Sequence, residues 1–143
     1  MFLGEYQHTV DEKGRIVMPS RFRDRLDDGV VVTKGQERCL YVFPADRWEQ
    51  EVEKVSRLPR TNRTNRNYAR SFFGSAIDQQ TDKQGRLQLP QTLRTYAGID
   101  KDVVIVGVSD RLEIWDAAAW EALSEEADQL YSSIEEALSE EGV

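Results

Sequence analysis

The sequence predicts an α+β domain, mainly β, in which two interlocked β-hairpin repeats form one pseudo-twofold β-barrel flanked by helices. Three observations carry this. Asp11-Glu12-Lys13-Gly14-Arg15-Ile16-Val17-Met18-Pro19 returns 71 residues later as Asp82-Lys83-Gln84-Gly85-Arg86-Leu87-Gln88-Leu89-Pro90, with Asp, Gly, Arg, an apolar pair and Pro at the same offsets. A β-branched run, Val30–Thr33, returns as Val103–Val106. One copy alone offers four short strands and a helix of a turn or two, too little to bury a core, so two copies must share one.

Each element has a local cause. Asp11 at the first position of a type I turn can accept from the backbone two residues on, and Gly14 accepts positive φ. That is the three-residue hairpin loop with a bulge, so Glu5–Val10 and Arg15–Met18 are expected to pair antiparallel. Pro19 starts a helix to about Leu26, with Phe22 and Leu26 on one face and Gly29 as the stop. Val30–Thr33 and Cys39–Phe43 follow as strands, the first buried on both faces. Pro44 opens a helix with Trp48, Val52 and Val55 on its apolar stripe. A helix is then expected from about Asn62 to Phe73, capped by Thr61, with Tyr68 and Phe72 facing the core. The second unit repeats the first: strands Ser75–Thr81 and Arg86–Leu89, helix Pro90–Ala97, strands Val103–Val106 and Leu112–Trp115. Asp116 caps a final helix whose stripe runs Trp120, Leu123, Ala127, Leu130, Tyr131, Ile134, Leu138. The expected divisions are 5–47 and 76–119 for the repeats, 48–75 for the helical connector and 120–143 for the acidic helix.

Composition narrows the class. In a chain of 143 residues, 39% hydrophobic and 31% charged fractions describe a soluble globular protein. No apolar run approaches the roughly 20 residues that span a bilayer, and Met1–Gly4 is too short for a secretory signal. The single cysteine, Cys39, suits a reducing compartment and a packed strand position. One His with one Cys makes no metal site, and no phosphate-cradling glycine loop or nucleophile motif is present. An enzyme is therefore a remote reading, and no cofactor or small-molecule substrate is expected.

Charge is unevenly placed. Residues 1–94 hold 17 Lys/Arg against 13 Asp/Glu, whereas residues 95–143 hold 2 against 13, giving the net −7. That is compatible with a basic face and an acidic periphery. Arg15 beside the turn admits two readings. It can close the hairpin by pairing with Asp11, or grip phosphate and guanine from a rigid ribbon. The residues alone favour the ion pair, and Asp11, Gly14, Asp82 and Gly85 read as structural turn residues. Lys13, Arg21 and Arg23 are candidate phosphate contacts, and Arg86 repeats Arg15. The segments 11–26 and 82–97 both net +2, so charge does not choose between repeats. Gln84 for Lys13 and Thr92 for Arg21 mildly favour the first. Arg57, Arg60, Arg63, Arg66 and Arg70 in the connector either face DNA or, more in keeping with the acidic C-terminal half, pair with carboxylates of the same or a neighbouring subunit.

The doubled Asp-x-x-Gly-Arg turn, the Pro-started helix, the opening Met1-Phe2-Leu3-Gly4-Glu5-Tyr6 and the run Leu112-Glu113-Ile114-Trp115 together resemble the MraZ family. Its halves are of the AbrB/SpoVT DNA-binding type. The resemblance covers nearly the whole chain. It implies a cytoplasmic, nucleoid-associated regulator, a ring-shaped homo-oligomer binding direct repeats in double-stranded promoter DNA upstream of a cell-division and cell-wall gene cluster. It also implies that Arg15 contacts DNA, reversing the preference the residues alone suggest. The competing reading is a ring-forming protein-interaction module without specific DNA binding.

Overall fold

The computed structural model describes residues 1–134 and 142. In chain order it contains β1 (Phe2–Thr9), β2 (Arg15–Val17), a 3-10 turn (Ser20–Phe22), α1 (Arg23–Leu26), β3 (Val30–Lys34) and β4 (Leu40–Pro44). Then come α2 (Ala45–Ser56), α3 (Arg63–Gly74), β5 (Ile77–Gln79), β6 (Arg86–Gln88), α4 (Gln91–Tyr96), β7 (Asp102–Ser109), β8 (Arg111–Asp116) and α5 (Ala117–Tyr131). Strands and helices fall close to where the sequence puts them. The β3–β4 and β7–β8 pairs also form as expected, but the pairing of the strands that flank the two Asp-x-x-Gly-Arg turns differs.

The predicted hairpins are not ladders. Asp11 N donates to Arg15 O at 2.9 Å and Asp82 N to Arg86 O at 3.1 Å, closing the turns, but beyond that bond the two arms part. Instead β1 pairs antiparallel with β7 from the other repeat, β5 pairs with β3, and β2 pairs with β6. The reason is burial. Along β1 the side chains after Phe2 are half-buried or exposed, so a ladder between β1 and β2 would bury little. Pairing β2 with β6 sets Ile16 opposite Leu87, and both become fully buried. Burying each is worth about 1.5–3 kcal/mol. Met18 N to Gly85 O and Leu89 N to Gly14 O, each 2.8 Å, extend this short ladder at both ends.

The result is a six-stranded sheet ordered β1-β7-β8-β4-β3-β5 and a separate two-stranded ribbon, β2-β6. The expected closed barrel is not formed: β1 and β5 remain edges, and the ribbon is a second sheet rather than the missing wall. The registers nonetheless repeat. Shifting β1 and β7 by the offsets of the duplication carries the pair Gln7–Val104 onto Asp78–Val31.

The core lies between one face of the large sheet and the inner face of the ribbon. It joins Val30, Val32, Leu40, Val42, Ile105 and Ile114 to Ile16, Leu87, Met18 and Leu89, with Phe22, Leu26 and Leu93 from the short helices. The other face of the sheet is covered by helices: α2 and α3 lie over β3 and β4, and α5 over β7 and β8. Under α2 and α3 a second cluster forms, Phe43, Val55 and Phe72 with Trp48 and Tyr68; Trp48 stacks on Phe72 at 5.2 Å.

Smaller differences have local causes. The segment after Pro19 is a 3-10 turn followed by a single α-turn, and Pro19, Pro44 and Pro90 are caps preceding their helices rather than first helical residues. Helix α3 is capped by Asn62, not Thr61, because the Asn62 Oδ1 accepts from both Thr64 N and Asn65 N. Asp116 caps α5 through Ala119 N as expected. Of the expected stripe of α5, Leu138 lies outside the described residues.

Candidate nucleic-acid interface

Each Asp-x-x-Gly-Arg turn is a hydrogen-bonded knot built by its aspartate. Asp11 Oδ1 accepts from Lys13 N and Arg15 N, both at 2.9 Å, while its Oδ2 accepts from Arg15 Nε at 2.8 Å. Asp82 repeats this with Gln84 N and Arg86 N at 2.9 Å and Arg86 Nε at 2.6 Å. Gly14 and Gly85 both sit at φ +76°, the left-handed conformation a β-carbon disfavours. Backbone donors hold the carboxyl of Asp11 below its ordinary value, led by the Arg15 N–H, with the guanidinium adding to it. Asp82 is lowered by the same groups of Arg86.

This geometry reconciles the two readings of the arginines. The ion pair exists in both repeats, yet it uses only Nε. Among the described residues neither Nη1 nor Nη2 of Arg15 or Arg86 is taken by a hydrogen bond. The aspartate therefore fixes the guanidinium while leaving two parallel donors, the fork that matches a phosphate or the O6/N7 edge of guanine.

The β2–β6 ladder then decides where those forks point. Directly opposed residues of an antiparallel pair share a face, and successive residues alternate. Arg15 opposes Gln88, Val17 opposes Arg86, and Ile16 opposes Leu87. Ile16 and Leu87 face the core, so Arg15, Val17, Arg86 and Gln88 all lie on the outer face. Val17 is 36% exposed, and the side chains of Arg15 and Arg86 are each 27% exposed. As diagonal neighbours, the two arginines stand about 7–8 Å apart at the backbone. The sequence predicts a separate hairpin in each repeat, interlocked in one barrel; the structure instead makes one ribbon to which each repeat gives one arginine.

Other candidates are distributed around it. Lys13 is exposed at the first turn, where its carbonyl accepts from Gln88 Nε2 at 2.7 Å. Arg21 is exposed and donates through Nη1 to Tyr6 Oη at 2.8 Å. Arg23 does not serve its own turn. Its Nε donates to Met18 O at 3.3 Å, and the side chain lies against Gly85 of the other repeat, so closely that a β-carbon there would meet Nε at 2.5 Å.

Arg94 makes the reciprocal arrangement, Nε to Leu89 O at 2.8 Å with its guanidinium over Gly14. The basic set at the first turn is thus Lys13, Arg15 and Arg94, and at the second Lys83, Arg86 and Arg23. Arg94 and Gln88, which the structure brings to the first turn, are not among the sequence candidates. The signal for Arg94 was present, since it stands 71 residues after Arg23; nothing local marks Gln88.

Elsewhere the chemistry is unlike this. A cleft of about 910 Å³ between β1, β7 and α5 is walled mainly by carboxylates, Glu5, Asp100, Asp102, Asp116 and Glu121, with Lys101 among them, and so disfavours anions. Among the described residues no group of His, Cys, Asp and Glu is arranged to hold a metal ion, and no helix is long and apolar enough to cross a membrane.

Fold and surface together define a duplicated α+β protein presenting one composite, arginine-bearing ribbon. The family model described as "MraZ protein, putative antitoxin-like" matches it twice, over residues 1–71 and 72–140. Among its relatives, each named transcriptional regulator MraZ, that of Salinispora arenicola is 48% identical over 136 residues, 95% of this chain and 96% of the relative. That of Desulfitobacterium hafniense is 47% identical and that of Pediococcus pentosaceus 44%, both over 143 residues and the full length of both chains. The chain belongs to the MraZ family.

Proposed function

We propose that this protein is a DNA-binding transcriptional regulator that reads double-stranded promoter DNA with the β2–β6 ribbon. The observation that carries the reading is the placement of Arg15 and Arg86 on the outer face of that ribbon, each held through Nε by its own aspartate. A two-stranded ribbon fits the major groove, roughly 12 Å wide, and the forks leave Nη donors for guanine. Val17 offers an apolar contact of the kind that meets a thymine methyl. Lys13, Lys83, Arg21, Arg23 and Arg94 supply phosphate contacts, which set position rather than sequence. The regulator name carried by the relatives supports the same reading.

The finer reading is a ring-shaped homo-oligomer on direct repeats upstream of a cell-division and cell-wall gene cluster, working in the cytoplasm at the nucleoid. One ribbon is a small contact, and several on one assembly gain through effective concentration on spaced sites. Assembly also lets an acidic chain turn its basic ribbons to one side. In the same reading a pseudo-twofold axis relates the repeats and passes through the Ile16–Leu87 pair.

The test is binding of labelled promoter duplex carrying direct repeats, against random duplex, across a salt series. A preference for the repeats that persists at moderate salt supports the regulator. Equal affinity for both duplexes, falling away together as salt rises, leaves only electrostatic attraction and ends it.

A further inference from the structure

The last two turns of α5 bury no side chain. Every residue from Glu125 to Ser133 is exposed, with Leu130 at 54% and Tyr131 at 76%. Ala127, Leu130 and Tyr131 recur at helical spacing and form one apolar stripe, flanked by Glu126 and Asp128. A short helical segment without a packed face has little to stabilise it in water. The stripe requires a cover.

A matching surface lies over the other half of the sheet. Between the end of α2 and α3 runs a groove of about 300 Å³ floored by Val55, Leu58, Pro59 and Phe73. Leu58 and Phe73 stay 37% and 36% exposed, among the few large apolar side chains that do. Arg60, Arg66 and Arg70 line the same groove. None of these three takes part in an ion pair among the described residues. Arg66 Nη1 donates to Arg60 O at 2.9 Å and Arg70 Nη1 to Asn67 Oδ1 at 3.2 Å, neutral acceptors that leave the charge unmatched. Residues 56–77 contain five arginines and no acid; residues 117–134 contain four carboxylates and no base.

We propose that the α2–α3 groove receives the end of α5 from a second copy of this chain. Leu130 and Tyr131 cover Leu58 and Phe73, and the acidic flank of the helix faces Arg60, Arg66 and Arg70. This is helix-in-groove recognition, with the apolar stripe as anchor and charge as selector. Helix end and groove are different surfaces, so the contact is head-to-tail, and each copy gives one helix and receives another. Such contacts propagate into rings when the rotation closes. The inference rests on the homo-oligomer proposed above and supplies its interface.

The experiment is light-scattering mass of the full-length chain as wild type, as a tail variant (Leu130→Ser with Tyr131→Ser) and as a groove variant (Arg66→Glu with Arg70→Glu). Circular dichroism verifies the fold of each. Wild type is expected to run as a multiple of 16.5 kDa, and each variant as a single chain. Mixing the variants is decisive, because an intact tail then meets an intact groove once only: a two-chain species is expected and nothing larger. Variants that keep the wild-type mass, or a mixture that stays single-chain, overturn the interface while leaving the oligomer standing. A wild type that is itself a single chain overturns both. A groove variant that keeps its mass but loses DNA affinity assigns the arginines to phosphates instead.

Discussion

If the β2–β6 ribbon reads DNA as one unit, Arg86→Ala should weaken binding as much as Arg15→Ala. The two side chains have the same exposure and the same aspartate clamp, and lie on the same face. Each offers an Nη pair, and a bidentate contact to the right base is worth about 1–3 kcal/mol. Each substitution should therefore raise Kd for a specific site by about 5- to 150-fold for every ribbon engaged. If a fork grips phosphate instead, the loss is sequence-independent, and the slope of log K against log salt falls by about 0.9. Folding should be little affected, since partly exposed ion pairs contribute about 1 kcal/mol or less, and each aspartate keeps its two backbone donors. Fluorescence anisotropy on repeat-bearing and random duplexes gives both quantities, with thermal unfolding as the control. The reasoning is refuted if Arg86→Ala binds within twofold of wild type while Arg15→Ala does not, for then the first repeat reads alone.

Three further outcomes follow from the turns and the core. Gly85→Ala should lower the melting temperature by several degrees in differential scanning calorimetry, because φ +76° costs an L-residue about 1–2 kcal/mol and the new methyl meets Arg23; an unchanged transition would count against the cross-repeat clamp. The depressed carboxyls of Asp11 and Asp82 stabilise the folded state fully above their unfolded value, 3.8. That contribution is lost as pH falls through their lower folded values. Urea midpoints should therefore drop below about pH 4, and drop less in Asp11→Asn with Asp82→Asn. Cys39 is 1% exposed, with its thiol pushed up to about 12 mainly by burial, so a disulfide reagent at pH 8 should label it only on unfolding; prompt labelling of native protein would contradict its packing.

How far the sequence reaches is visible at particular residues. The turn of Asp11, Gly14 and Arg15 was legible because its causes lie within five residues: a side-chain acceptor, a positive φ and a short return. The buried run Val30–Thr33 was legible from β-branching, and the Asp116 cap from its position. The hairpin pairing was not legible. Whether Ile16 lies beside its own repeat or beside Leu87 depends on which arrangement buries both, a comparison between segments 71 residues apart. For the same reason Arg23 reads locally as part of the first site yet packs on the second turn. The Asn62 cap was missed by one residue, a boundary that adjacent Thr and Asn, both good caps, do not resolve.

The ladder between β1 and β7 has a consequence for synthesis. Phe2 meets Ser109 and Thr9 meets Asp102, so the first strand has no partner until nearly the last strand has left the ribosome. At about 5–20 residues per second that interval is roughly 5–20 s. Throughout it an eight-residue edge with unpaired amides waits in solution. Such long-range closure slows folding: a chain stopped between the repeats has only the β3–β4 ladder, with β1 and β2 left unpaired. Duplication has thus joined two half-proteins so that neither is a folding unit until the other has arrived.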